Sequence, residues 1–270
     1  MNRDTLNLKK LRNNVITAST DDARWLLWDQ ALKMPHLPLT ETLIKENMEY
    51  LGWTKEQVLS CWGEKGTEKI KEKWIQDHPE NAQQIQDYYN SLRMYIPELS
   101  SWHAIVKNDA LLHILEFLQL CVKNNYSSFL DYGAGIGSNG ILFNYYGFNV
   151  TLADISDEML SYQKWRLPRH GVIASYVDLK KGQLPVNYFD CATCIEVLEH
   201  TTNPVEIMDS IRKSLIIGGV AFVTTPFFKD PERPQHIIHS MEVTKEFESL
   251  GFDQIWVSSD RFYRFYKRVR

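Results

Sequence analysis

Hydrophobic positions follow two different periods along the chain. In the first half they recur at helical spacing. Trp25, Trp28 and Leu32 form one stripe within the run from Asp21 to Lys33, the mark of an amphipathic helix. Pro35 and Pro38 then break the pattern. Thr40 is placed to cap a helix running to about Leu51, and Gly52 to end it. Thr54-Lys-Glu-Gln57 has capping-box spacing, in which hydroxyl and amide satisfy two orphan N–H groups reciprocally. Thr67 is expected to open a further charged helix, and Pro79 to sit in the first turn of the next. From Ser101 to Lys123, Leu111, Leu115, Leu118 and Val122 share one face, which predicts one long helix.

Beyond Ser127 the period shortens. Apolar runs at Ser127–Asp131, Asn149–Ala153, Val172–Val177, Phe189–Ile195 and Val220–Thr224 alternate with helical patterns starting near Asn139, Ser156, Pro204 and Val243. That alternation predicts βαβ units and a mostly parallel sheet. Asn203-Pro204 reads as a cap followed by proline at the first helical position, and Gly218-Gly219 as the close of that helix. Only Ser259-Asp260-Arg261 separates the runs Phe252–Ser258 and Phe262–Val269. Three residues cannot hold a helical crossover, so this pair is predicted to be antiparallel.

Composition sharpens the division. The 270 residues are 44% hydrophobic and 24% charged, in the range of globular chains and long enough for a core without disulfide or metal staples. Six of eight tryptophans precede residue 103, whereas ten of thirteen glycines follow residue 130. Residues 1–125 are therefore read as a helical region and 126–270 as an α/β domain. A net charge of −4 argues against a nucleic-acid partner. No apolar run of about 18 residues predicts a membrane span. The first residues lack the apolar segment of a secretory signal, and Cys61, Cys121, Cys191 and Cys194 are read as reduced thiols, so a cytoplasmic location is expected.

The chemistry centres on Phe129-Leu-Asp-Tyr-Gly-Ala-Gly-Ile-Gly-Ser-Asn-Gly140. A strand ends at Asp131, and Gly133, Gly135 and Gly137 form a loop whose backbone a ligand can approach closely. Gly135 to Gly140 also matches the dinucleotide pattern G-x-G-x-x-G, which alone would suggest a nicotinamide oxidoreductase. The carboxylate of Asp131 suits a cationic ligand better than a pyrophosphate.

Asp131-Tyr-Gly-Ala-Gly-Ile-Gly137 resembles the first motif of the class I S-adenosylmethionine-dependent methyltransferases. Val150-Thr-Leu-Ala-Asp154 resembles their second strand, Tyr176-Val-Asp178 the acidic end of the third, and Leu215–Pro226 the fifth-strand region. Phe189-Asp-Cys-Ala-Thr-Cys-Ile-Glu-Val-Leu-Glu-His200 resembles the fourth-strand motif of the ubiquinone-biosynthesis-type small-molecule O-methyltransferases. The resemblance covers residues 127–270. It implies a Rossmann-like seven-stranded sheet, mostly parallel with a C-terminal antiparallel hairpin; the aromatic, helical first half, which the resemblance does not cover, is expected to form an N-terminal cap over it. It further implies S-adenosyl-L-methionine as cofactor and S-adenosyl-L-homocysteine as product. The implied cofactor residues are Asp131, Gly133, Ala134, Gly135, Asp154, Ile155, Asp178, Leu179 and Glu196. Two vicinal ribose hydroxyls suit a carboxylate such as Asp154, and the adenine amino group suits Asp178.

The expected acceptor is a small molecule or short peptide, with O-methylation ahead of N- or C-methylation. A non-catalytic cofactor-binding protein is the alternative of another class. His200, His236 and His239 are the candidate bases. Tyr88, Tyr89, Arg93, Tyr95, Trp102 and His103 are expected to shape the acceptor pocket. No metal is expected, because no carboxylate stands at ligand spacing from the three histidines. Cys191 and Cys194 lie three apart on a strand and so face opposite ways, as small core residues. The basic residues from Arg261 to Arg270 are read as the solvent side of the last strand.

Overall fold

The computed structural model describes residues 3–104 and 109–270. The strands are β1 (Ser128–Tyr132), β2 (Asn149–Asp154), β3 (Ala174–Asp178), β4 (Phe189–Cys194), β5 (Leu215–Thr224), β6 (Phe252–Val257) and β7 (Tyr263–Arg268). They form one sheet in the order β3-β2-β1-β4-β5-β7-β6. The first five pair in parallel, while β7 lies antiparallel to both β5 and β6. The expected hairpin is therefore present, with its second strand inserted beside β5.

Eight helices precede the sheet among the described residues: α1 (Arg3–Thr17), α2 (Asp21–Leu32), α3 (Leu39–Leu51), α4 (Lys55–Leu59), α5 (Glu64–Asp77), α6 (Ala82–Ser91), α7 (Tyr95–Ala104) and α8 (Asp109–Lys123). Four alternate with the strands: α9 (Ser138–Tyr145), α10 (Asp157–Arg166), α11 (Pro204–Ser214) and α12 (Val243–Leu250). The Thr54 capping box is formed as its spacing requires, and Gly52 ends α3 in the left-handed conformation.

Several boundaries differ from the sequence reading. Pro38, not Thr40, sits at the cap of α3. Gly63 opens α5, leaving Thr67 inside it, and Asn81 rather than Pro79 caps α6. The region expected as one long helix is described as α7 and α8, with residues 105–108 outside the described set. Gly218-Gly219 does not close α11. That helix ends at Ser214, and β5 begins at once and runs through the glycine pair.

Strand alternation separates two cores. Phe129, Cys191, Phe222 and Phe265 face α8 and α9, whereas Leu130, Ala192, Cys194, Val223 and Tyr266 face α11 and α12. Cys191 and Cys194 thus lie on opposite faces, both buried and free. Phe117 of α8 is fully buried, with ring centroids 5.2 Å from Phe265 and 5.9 Å from Phe222. Val15, Trp28 and Leu32 belong to the same cluster, so the helical layer and the sheet bury their apolar faces in a shared core. The basic final strand corrects another expectation. Arg264 and Arg268 are buried, because β7 is an inner strand, and they donate to Thr225 Oγ1 and the Leu215 carbonyl respectively.

Phe117→Ala is expected to cost about 3–5 kcal/mol of folding free energy, the range for deleting a buried ring that the surroundings cannot refill. Urea unfolding would show this as a lower midpoint at unchanged slope.

Candidate functional site

Between β1 and β4 the connections leave the sheet in opposite directions, the place where open α/β sheets form a crevice beyond their strand ends. A cavity of about 560 Å³ lies there. Gly133 to Ile136, Asp154 to Ser156, Leu179 and Glu196 form one wall. Tyr89, Tyr95, Leu99, Trp102 and His103, from α6 and α7, cover it.

The glycine loop is shaped by its backbone. Gly133, Gly135 and Gly137 have φ of +70°, +51° and +77°, a region open to glycine at little cost. A Cβ on Gly133 would also stand 2.3 Å from Val197 Cγ2. The amide of Gly133 donates to the Ala153 carbonyl at 2.8 Å. Gly135 N–H donates to Asp154 Oδ2 and Ser156 N–H to Asp154 Oδ1, each at 2.9 Å. Asp154 therefore ties the end of β2 to the loop after β1. Each of its oxygens keeps a second lone pair for another donor.

Of the residues the sequence singled out, Gly133, Ala134, Gly135, Asp154, Ile155, Leu179 and Glu196 line the cavity. Asp131 lies behind the lining. It follows Phe129 on the face toward α9, where its Oδ1 accepts from Thr193 Oγ1 at 2.6 Å and Asn139 Nδ2 at 3.3 Å. Its Oδ2 is buried without a partner. Burial pushes this carboxyl up to about 6 against those two hydrogen bonds, and burial likewise pushes Asp154 up to about 6. Asp178 is also outside the lining, held by Lys181 Nζ at 2.9 Å and by the amide of Lys180.

The opposite wall divides similarly. Tyr95, Trp102 and His103 line the cavity, whereas Tyr88 and Arg93 do not. Adjacent helix positions face different ways, so Tyr89 points into the cavity while Tyr88 packs on Trp74 and donates to the Ile70 carbonyl at 2.7 Å. Arg93, just beyond α6, pairs on the surface with Glu158 at 3.3 Å. His200 and His236 line the cavity. His239 turns away, against Phe227, and its Nε2 bonds the Thr201 carbonyl at 2.9 Å.

Just past β4, Glu196 has φ +52°, and a short 3-10 turn from Leu198 to His200 follows. His200 Nδ1 lies 2.7 Å from Tyr89 Oη, and the His200 and His236 rings are 4.9 Å apart. Burial lowers His200 to about 3 and His236 to about 4, so both imidazoles are neutral near pH 7. Glu199 is fully buried, and neither of its carboxyl oxygens has a hydrogen-bond partner. Burial, with Glu196 nearby, pushes its carboxyl well above the usual range. One ligand atom each from Glu199, His200 and His236 falls within 4.8 Å of the others. This carboxylate supplies the donor that the sequence reading did not find at ligand spacing. The tight turn makes two consecutive residues converge on a histidine from a distant loop.

Sequence reasoning also missed Glu98 and Arg233. Glu98 on α7 is buried against the cavity, accepting from Trp102 Nε1 at 2.7 Å and Thr67 Oγ1 at 3.2 Å. Its four-residue spacing from Trp102 was a legible signal. Arg233 lies 3.5 Å from Glu196 and 5.7 Å from the Trp102 ring centroid. It sits in an irregular loop with no local pattern.

A family model described as a methyltransferase domain matches residues 100–260. The chain is 34% identical over 102 residues to a ubiquinone biosynthesis O-methyltransferase of Dechloromonas aromatica, a match covering 36% of this chain and 43% of that protein. It is 34% identical over 88 residues to the ubiquinone/menaquinone biosynthesis C-methyltransferase of Proteus mirabilis, covering 31% and 32%. The chain thus spans less than half the length of these curated relatives. Among solved structures, a protein of Pyrococcus horikoshii OT3 shares the fold with a TM-score of 0.50 at 16% identity, over 67% of this chain and 98% of that one.

The Asp131 carboxyl gives a pH signature. It keeps its proton up to about pH 6 when folded, against an ordinary value of 3.8. The folded state binds more protons between those values, so this contribution is fully present below about pH 4 and is lost as pH rises through 6. Asp131→Asn removes the titration. Its stability relative to the parent chain should rise between pH 4 and 7.5 by on the order of 1–3 kcal/mol, measured by denaturant unfolding.

Proposed function

The chain belongs to the S-adenosylmethionine-dependent methyltransferase family, and from that premise we propose that it methylates a hydroxyl oxygen of a small-molecule or short-peptide acceptor. The observation that carries this reading is the Asp154 carboxylate. It is stapled to the glycine loop at the switch point and faces a cavity that also holds two neutral imidazoles.

The residues present fit the cofactor. Asp154 retains lone pairs for two ribose hydroxyls, and Gly135 leaves the backbone approachable. Ile155 and Leu179 offer apolar contact for an adenine ring. The unpartnered Asp131 oxygen beneath the loop supplies negative potential suited to an ammonium group. When bound, the cofactor supplies an electrophilic methyl carbon on a sulfonium.

The chain's own part is to orient and to move a proton. Tyr89, Tyr95 and Trp102 close over the acceptor, excluding water and aligning its oxygen. Such alignment is worth roughly 7–11 kcal/mol in well-oriented systems. His236 lines the cavity as a neutral imidazole and takes the acceptor's hydroxyl proton. Tyr89 Oη holds His200 beside it. With the cofactor held by Asp154 and the glycine loop, its methyl carbon would pass from sulfur to that oxygen, giving S-adenosylhomocysteine and a methoxy product.

A second reading is favoured by the Glu199 carboxyl, whose two bare buried oxygens are costly without a partner. One carboxylate and two imidazoles form a donor set suited to a divalent cation such as zinc. In that case Glu199, His200 and His236 act as ligands rather than bases.

Calorimetry with S-adenosylhomocysteine is expected to show binding that Gly135→Val abolishes, since a side chain there is strained at φ +51° and lies 3.2 Å from Leu99 Cδ1. Asp154→Ala should weaken it at least about tenfold. Methyl-labelled cofactor incubated with a cell extract should place label in a methoxy product. The cofactor reading fails if no binding occurs, and the O-methylation reading fails if the label rests on nitrogen or carbon. Loss of turnover on metal chelation, restored by zinc or magnesium, selects the cation reading over the bare base.

A further inference from the structure

The carbonyl oxygens of the glycine loop need donors of their own, because the loop belongs to neither a helix nor a strand. Two side chains of α10 supply them. Gln163 Nε2 donates to the Gly135 carbonyl at 2.8 Å. One terminal nitrogen of Arg166 donates to the Ile136 carbonyl at 2.9 Å and to Ser138 Oγ at 3.0 Å. Ser138 Oγ in turn lies 2.9 Å from Nδ1 of His103, which lines the cavity.

Arg166 is fully buried, and its countercharge comes from far away in the chain. Glu46, on α3 and equally buried, accepts from Arg166 Nε at 2.9 Å. Its other oxygen lies 2.5 Å from His170 Nε2. The neighbouring Asn47 accepts from Tyr162 Oη of α10 at 3.1 Å and from Ser100 Oγ of α7 at 3.2 Å. A dry ion pair is a poor stability device, because an apolar pair of similar volume often serves as well. What an apolar pair cannot do is donate to the loop. Glu46 also lies outside the residues that the family model matches, so this anchor is contributed by the N-terminal helical layer rather than by the matched domain.

We propose that Glu46 is a positioning residue of the cofactor site: by fixing Arg166, it holds the glycine loop in its binding shape. The N-terminal helical layer therefore sets cofactor affinity as well as roofing the acceptor pocket. This rests on reading the cavity as the cofactor site.

The test compares three variants of the full chain by calorimetry with S-adenosylhomocysteine and by thermal unfolding. Glu46→Gln should weaken binding about tenfold or more, as expected for losing a charged hydrogen-bond anchor. Val15→Ala, in the shared core but away from the loop, controls for lost stability and should bind as the parent does. The double variant E46M/R166M restores apolar packing and should unfold cooperatively while binding stays weak. The proposal is overturned if Glu46→Gln binds normally, if Val15→Ala loses as much affinity, or if the double variant regains it. If the parent chain does not bind S-adenosylhomocysteine, the cofactor reading fails and amide hydrogen exchange of residues 133–138 decides the positioning role. Faster exchange in Glu46→Gln supports it, and unchanged exchange overturns it.

Discussion

The hydrogen bonds from the amides of Gly135 and Ser156 to the Asp154 carboxylate are the constraint on which the site depends. They join the ends of two neighbouring parallel strands across the cavity wall. Without them, a loop with three positive-φ glycines has little intrinsic preference for one shape. With them, its backbone faces outward beside a buried carboxylate. The sheet places β1 and β2 in register, but the side-chain bond turns that register into a binding surface. The same carboxylate is both a structural staple and, in the proposed function, the acceptor for the cofactor's hydroxyls.

Buried charge is concentrated around this centre. Asp131, Asp154, Glu98 and Glu199 are all nearly inaccessible, and burial raises the carboxyl of each. A core built only for stability would hold few such groups, because each is expensive without full hydrogen bonding. Asp154 and Glu98 line the cavity and Asp131 and Glu199 lie just behind it, beside neutral imidazoles, a clustering of perturbed groups that marks a candidate functional site. The helical layer takes part through Glu98, Tyr89 and Glu46 rather than as a passive cover.

The sheet was legible because strand and helix periods are local properties. Five apolar runs, the glycine loop and a three-residue connection were enough to anticipate parallel order and an antiparallel end. The wall of the site followed the loop motif for the same reason. Asp131 lies behind the lining rather than in it because the motif names a residue, while strand alternation from Phe129 decides which way it points. Tyr88 and His239 lie outside the lining because neighbours of a cavity-facing residue face elsewhere on a helix or irregular loop. Glu199 with His236, and Glu46 with Arg166, were illegible. Each pair joins segments distant in the chain, and no local pattern records which distant side chain will arrive.

Glu196 carries a further consequence. A residue with a side chain held at φ +52° bears a backbone strain of about 1–3 kcal/mol, most of which glycine would relieve. Random substitution toward glycine at this position should therefore be rewarded in folding assays. A library of variants selected only for solubility or heat resistance would drift toward it and remove a carboxylate from the cavity wall unnoticed. Any stabilising redesign of this chain needs a functional screen at this strand end, because the strained residue lines the cavity proposed as the cofactor site.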